Sequence, residues 1–357
     1  MAIEWLAGNR LRGTTAERPN FGLPSGSVGG WVELGRTTLG SAGDDIDITS
    51  LPNKRYYHVL INPIPTGSIN SNLHFNGSSS GYAQRHSVNG SGETALGNRQ
   101  YWDVAGAETN PFFSSMYIAN LSGKEKLGIQ HSVEVTTAGA GTAPERAEYA
   151  QKWITTDVIN RMNLNNLGTG SFNTGSEVVV LGWDPADTHT TNFWEELASV
   201  DSGAGEILDS GTFTAKKYLW YQFDIVVDQY NNTNATIRFN GDTGSNYANR
   251  KSQNGGADST GASQNQMSWT VSGGRRIFGN HFVINNTSNE KLDIGHHTII
   301  GTASNSTSEG AGTAPRRIES VGKWANTSDQ ITKIQVLDSV QGDLGLTSGT
   351  IKVWGAD

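Results

Sequence analysis

In a chain of 357 residues, the lack of cysteine excludes disulfide frameworks and thiolate metal centres, and a formal net charge of -8 argues against nucleic acid as a main partner, since neutralising phosphates requires a basic face. Its 44 glycines, its charged fraction of 17% and its many Asn, Ser and Thr residues point to short strands joined by polar turns. No apolar run approaches transmembrane length, so no membrane insertion is expected, and Met1–Gly8 lacks the charged n-region and apolar core of a secretory signal.

Residues 1–30 read as an N-terminal extended arm. Trp5, Leu6, Leu11 and Phe21 are apolar anchors in a segment without periodicity, interrupted by Pro19, Pro24 and Gly29-Gly30. Such a segment suits a partly ordered terminus or an assembly arm docked on a neighbouring subunit.

From residue 31 the chain is a tandem repeat. Trp31-Val32-Glu33-Leu34 returns as Trp194-Glu195-Glu196-Leu197, and Lys54-Arg55-Tyr56-Tyr57 as Lys216-Lys217-Tyr218-Leu219. Further on, Met116-Tyr117-Ile118-Ala119-Asn120 matches His281-Phe282-Val283-Ile284-Asn285, and Glu125-Lys126-Leu127-Gly128-Ile129 matches Glu290-Lys291-Leu292-Asp293-Ile294. The second copy carries six extra residues near Thr302–Thr307 before register resumes at Ala140–Pro144 and Ala311–Pro315. The boundaries expected are module one at 31–185, a short polar linker at 186–192 and module two at 193–357.

Leu219, Tyr221, Phe223, Ile225 and Val227 alternate with period two, as do Tyr57, Val59 and Ile61, which predicts a strand in each copy. Glu145–Thr155 has helix-forming composition, but its counterpart carries Gly322 in mid-segment. A mid-helix glycine costs about 1 kcal/mol relative to Ala, so a strand is expected in both. Many strands and no strong helix predict an all-β fold, two tandem jelly-roll-like β-sandwich modules.

The most diagnostic stretch is Phe75-Asn76-Gly77, leading to Tyr82 and Arg85, which returns as Phe239-Asn240-Gly241-Asp242, leading to Tyr247 and Arg250. Asn-Gly signals a tight hairpin turn because both residues tolerate positive φ. These residues are assigned to a structural strand-to-strand turn, tied down by its Tyr and Arg. Asn240 and Asp242 also offer oxygens to a Ca²⁺ ion, but capping the turn is the simpler role, since Ser78 stands where Asp242 does in the first copy.

No other constellation announces chemistry. The eight histidines are scattered, and the adjacent His296 and His297 would point to opposite faces of a strand, a poor chelate. Asp44, Asp45, Asp47, Asp184, Glu195, Glu196 and Asp242 include no carboxylate pair preserved between the copies. No catalytic residue, metal or cofactor is assigned. Tryptophans at matched positions, Trp31/Trp194 and Trp153/Trp324, read as core, with Trp183 and Trp354 near equivalent module ends. The unmatched Trp5, Trp102, Trp220 and Trp269 read as better candidates for a surface role. The sequons at Asn120 and Asn285 are of a kind expected by chance in such a composition.

The run Arg238-Phe239-Asn240-Gly241-Asp242-Thr243-Gly244-Ser245-Asn246-Tyr247, after the basic-aromatic strand at Lys217-Tyr218-Leu219, resembles a module of tailed-bacteriophage virion proteins. The first copy departs from it, with His74 in place of Arg and Ser78-Ser79-Ser80 in place of Asp-Thr-Gly. The resemblance implies a β-sandwich displayed on a capsid or tail, as a decoration, fibre or baseplate component, in homo-oligomers and with other virion proteins as partners. It implies no enzymatic activity and a virion location after synthesis in the host cytoplasm. A host-surface glycan-binding module is the second reading and a polysaccharide-degrading enzyme the third.

Overall fold

The computed structural model describes residues 30–185, 192–227, 235–269, 276–300, 311–338 and 345–357, together with the backbone of two short N-terminal strands. Those strands, β1 (Trp5–Leu6) and β2 (Arg10–Leu11), pair antiparallel. The side chains of Trp5, Leu6 and Leu11, all of Phe21, most of the expected linker and the six-residue insertion lie outside the described residues.

The first module follows as β3 (Val32–Thr38), β4 (Asp45–Ile48), β5 (Tyr56–Asn62), β6 (Ile69–Phe75), β7 (Tyr82–Val88), β8 (Thr94–Arg99), β9 (Trp102–Glu108), β10 (Phe112–Ala119), β11 (Lys126–Glu134), β12 (Glu145–Trp153), β13 (Met162–Asn166) and β14 (Glu177–Trp183). The second comprises β15 (Glu195–Ser202), β16 (Leu208–Asp209), β17 (Tyr218–Val227), β18 (Ala235–Phe239), β19 (Tyr247–Gln253), β20 (Ser259–Gln264), β21 (Met267–Ser268), β22 (Arg276–Ile284), β23 (Lys291–Ile300), β24 (Arg316–Trp324), β25 (Ile334–Asp338) and β26 (Leu346–Ala356). The fold is all-β, and no helix occurs among the described residues. The segment with helix-forming composition is strand β12, and its counterpart is β24.

Each module is a β-sandwich of an eight-stranded and a four-stranded sheet, and the two have the same strand order. In module one the orders are β3-β14-β5-β10-β11-β12-β7-β8 and β4-β13-β6-β9; adding twelve to each label gives module two. From β3 to β7 the chain alternates between the sheets, a jelly-roll-like winding. The two sheets of module one enclose Tyr57, Val59, Phe75, Met116 and Val180, and those of module two enclose Tyr221, Phe223, Phe239, Val336 and Val353.

The eight-stranded sheets of the two modules also pack against each other. Leu60, Phe113, Val133, Val179 and Leu181 of module one share a buried cluster with Trp194, Tyr218, Phe282, Leu292, Ile294 and Trp354 of module two. This explains two strand patterns. β17 alternates as its sequence does, whereas β14 is buried along nearly its whole length because both of its faces are covered.

Trp102 and Trp269 correct the expectation of a surface role: they are 0% and 1% exposed. Each ring crosses its sandwich to lie over a glycine of the eight-stranded sheet. A Cβ on Gly128 would come within 2.9 Å of Trp102, and one on Gly322 would come within 2.9 Å of Trp269. Trp220 is half-buried at the module junction, and Trp31 packs at the edge of the same cluster.

The repeated turn has the same geometry twice. Asn76 and Gly77 take φ of 52° and 71°, Asn240 and Gly241 of 52° and 70°. In each, the carbonyl at the strand end accepts the amide three residues on, Ser78 to Phe75 and Asp242 to Phe239, both at 2.9 Å. The tyrosine hydroxyls close the loop by accepting the Phe75 and Phe239 amides at 2.9 and 3.0 Å. Asn76 Oδ1 accepts the Asn160 amide and Asn240 Oδ1 the Thr332 and Lys333 amides, fixing the approach to β13 and β25. Asp242 accepts from the Gly244 amide, Asn246 and the Trp324 indole, which hold its carboxyl below its ordinary pKa against the opposing effect of burial. The arginines do not tie the turn down as expected. Exposed Arg85 pairs with Glu93 at 2.9 Å, and Arg250 donates to the Pro144 carbonyl of the other module at 2.9 Å.

Asn240→Gly keeps the left-handed backbone but removes these side-chain bonds and is expected to cost about 2 kcal/mol in urea unfolding. Asn240→Ala adds the left-handed strain and should cost about 1 kcal/mol more.

Candidate functional site

Buried polar groups concentrate where the modules meet. Glu177 on β14 is 3% exposed and accepts hydrogen bonds from Lys217 (2.8 Å), Tyr218 (2.7 Å), Arg36 (3.3 Å) and Thr38. Burial pushes its carboxyl up, but these donors outweigh burial and leave the pKa below its ordinary value. On the far side of the junction, Arg146 pairs with Asp258 at 2.8 Å and with Glu148 and Glu319. Lys323, fully buried, donates to the Val135 and Thr137 carbonyls at 3.0 and 2.5 Å. Between these groups the rings of His131 and His296 meet at 4.3 Å. These two histidines occupy matched positions of the repeat, so equivalent residues of the two modules touch. Burial, reinforced by Arg146 for His131 and by His131 for His296, lowers their pKa values to about 4 and about 3. Burial alone lowers His58, beside Phe282, to about 3.

His296 and His297 do point to opposite faces. His297 enters the core of module two, where its Nε2 lies 2.9 Å from that of His281. His281 Nδ1 is 2.8 Å from Asp293, which also accepts from Tyr221 at 2.7 Å. All four residues are at most 2% exposed, so the chain His297–His281–Asp293–Tyr221 has no access to a substrate and satisfies polar groups within the sandwich. Module one has Ser132, Met116, Gly128 and Val59 at these positions, which is why the repeat gave no hint of the network.

A second polar cluster escaped the sequence because its members come from three strands. Ligand oxygens of Glu108, Glu134 and Glu145 lie within 4.8 Å of one another. Burial, then the hydrogen bond and charge of Glu108 and the charge of Glu145, push Glu134 up to about 10. Glu134 is therefore held toward its neutral form, as expected of a carboxylate too close to others to ionise with them. The acidic residues singled out from the sequence are engaged elsewhere: Asp47 with Arg161 at 2.8 Å, Asp45 with Asn163 and Asn165, Glu195 with Lys216, and Glu196 with Lys352. Asn120 and Asn285 are 1% and 0% exposed, and their amides staple the strands to the Ile159 and Ile331 loops, so neither sequon is open to modification.

The most distinctive open surface is the part of module one's eight-stranded sheet that module two leaves uncovered. Tyr56, Tyr117, Leu127 and Ile129 are 37%, 39%, 56% and 60% exposed. With Trp31 and Trp183 they line a groove of roughly 430 Å³, which continues past Leu127 and Ile129 into a second depression of roughly 610 Å³ between Leu96 and Lys152. Tyr56 stacks on Trp183 at 5.4 Å. A contiguous exposed apolar face of this kind is uncommon on the surface of a monomeric protein. The sequence signal for it, Leu127-Gly128-Ile129 on a strand that is apolar on its outer face, is indistinguishable from a core strand until the packing is known.

Two sets of groups give stability opposite pH dependences. His58, His131 and His296 have folded pKa values below that of an unfolded histidine, so their contribution is complete above about pH 6.5 and is lost as pH falls toward 4. Glu134 has a raised folded pKa, so its contribution is complete below about pH 4.5 and is lost as pH rises toward 10. Between about pH 4 and 8, below the range in which half-buried Lys251 and buried Lys291 titrate, the urea midpoint is therefore expected to peak at about pH 6.5. Glu134→Gln should flatten the alkaline limb, and His131→Gln with His296→Gln should flatten the acid limb.

No protein-family model matches the chain, and no curated protein matches it. Among solved structures, it is similar to the LG1-3 region of the laminin alpha2 chain, at 10% identity and a TM-score of 0.20, over 87% of this chain and 64% of that one. Mouse laminin alpha1 domains LG4-5 align at 12% identity and a TM-score of 0.18, covering 91% and 88%. The attachment invasion locus protein Ail of Yersinia pestis aligns at 6% identity and a TM-score of 0.11, covering 84% and 99%.

Proposed function

We propose that the protein is a non-enzymatic structural component of a tailed-bacteriophage particle, carried on the capsid or tail surface and assembled as a homo-oligomer through its β-sandwich modules. The observation that carries this reading is how the chain uses its polar groups. Glu177, Arg146 and Lys323 bind the two sandwiches into one body, while the broad open face beside that junction is apolar. A rigid body with an apolar face suits assembly. The likeness of Arg238–Tyr247 to phage virion modules directs that assembly to a particle. On this reading residues 1–30 attach the chain to other virion proteins.

One observation favours glycan binding instead: the Tyr56–Trp183 pair presents stacked aromatic surface. Sugar recognition also requires convergent hydrogen-bonding groups, and Leu127, Ile129, Ile118 and Ala119 around this pair supply no polar side chain.

Locating the chain in an averaged map of intact particles tests the proposal directly; absence from particles would overturn it. Deletion of residues 1–30 is expected to abolish incorporation while leaving the urea midpoint unchanged, and a truncated chain that still joins particles would rule out the arm. A glycan array is expected to give no binding.

A further inference from the structure

We propose that the open face of module one around Leu127 and Ile129 is where a second copy of this chain docks, face to face, to form a two-fold dimer. The inference rests on the structural-assembly reading above and names its interface.

The internal repeat supplies the occupant. Tyr117 pairs with Ile129 across β10 and β11 as Phe282 pairs with Ile294 across β22 and β23, and Ala119 pairs with Leu127 as Ile284 does with Leu292. The two faces are thus equivalent in register and alike in chemistry. In module two this face is covered by a sandwich of the same fold, module one itself: Leu292 and Ile294 are 1% and 2% exposed, against 56% and 60% for Leu127 and Ile129. A surface of this type therefore has a demonstrated partner type within the chain, a β-sandwich of this family of modules.

The open face is also continuous with the established junction. Tyr117 lies 6.4 Å from Phe282 and 4.2 Å from His58, both at the module boundary. An incoming sandwich would extend an existing buried cluster rather than found a new one.

Charge and polarity choose which face of the second copy is presented. The corresponding free end of module two exposes Phe278, at 44%, but sets it among Gln222, Thr298 and Lys352 and beside the exposed Asp224–Arg276 ion pair at 2.5 Å. Such an end would place ion-paired charges against Leu127 and Ile129 and strip the water from those charges, a desolvation cost that an apolar surface does not offset. The face that matches an apolar surface is the same apolar surface of another copy, which is the isologous arrangement of a two-fold dimer.

The test is the solution mass of the full chain by light scattering, across low to high micromolar concentration. The wild type is expected to have twice the monomer mass, and Ile129→Lys and Leu127→Asp are expected to halve it. Leu167→Asp, at an exposed leucine elsewhere, should leave the dimer intact. Both face positions point to solvent in the single chain, so circular dichroism and the urea midpoint should show the monomeric variants folded. Because the chain has no cysteine, Ile129→Cys gives a single reporter, expected to form a chain-to-chain cross-link with a short bismaleimide. A monomeric wild type, or a dimer that survives both substitutions, would overturn the interface. So would a glycan ligand lost on Ile129→Lys in a chain that stays monomeric. These outcomes are separate from the particle reading, which stands or falls on incorporation: a monomer found in particles defeats the interface alone, and a dimer absent from particles defeats the particle role alone.

Discussion

The constraint on which the rest of this structure depends is that one eight-stranded sheet is covered on both faces. The inner face of module one's sheet closes its own sandwich, and much of its outer face lies under module two. Strands in that position have no water for their polar groups, so every charged side chain there needs a partner within the protein. Glu177 meets Lys217, Arg36 and two hydroxyls; Arg146 meets Asp258 and Glu319; Lys323 meets two backbone carbonyls. These groups orient the modules as well as neutralise one another, because the bonds of Lys217 and Tyr218 to Glu177, of Arg146 to Asp258 and Glu319, and of Lys323 to the Val135 and Thr137 carbonyls span the junction and are directional.

The duplication preserved backbone geometry more strictly than chemistry. Both Asn-Gly turns have matching φ angles and both are closed by a tyrosine hydroxyl, yet the indole of the facing tryptophan donates to the Ser80 carbonyl in one copy and the Asp242 carboxylate in the other. The cores diverge further. Module one fills its centre with Met116 and lays Trp102 over Gly128, whereas module two places His281 and Asp293 at the positions of Met116 and Gly128 and lays Trp269 over Gly322. A large ring that crosses a sandwich needs a residue without a side chain opposite it, and the two modules place that glycine on different strands. Matched position was therefore a sound guide for Trp153 and Trp324, while lack of a match misled for Trp102 and Trp269.

The asymmetry between the two outer faces follows from how the modules meet. Their pairing joins different ends of equivalent sheets, so Leu292 and Ile294 are covered while Leu127 and Ile129 remain in solvent. An isologous junction would have treated them alike. The open apolar face of module one is the direct result of that offset.

The sequence by itself determined the local features: alternation made β5 and β17, Asn-Gly made the two turns, and the repeat announced two sandwiches of one design. Each depends on residues close together in the chain, with periodicity or backbone freedom that one segment carries alone. Only tertiary structure decided the rest. Nothing local distinguishes Leu292, buried under another module, from Leu127 in water, or shows that Glu108, Glu134 and Glu145 converge from three strands. Nor does anything local show that Asn120 is sealed from modification. Burial and proximity are set by which sheets face each other, and here the deciding contact joins segments more than a hundred residues apart.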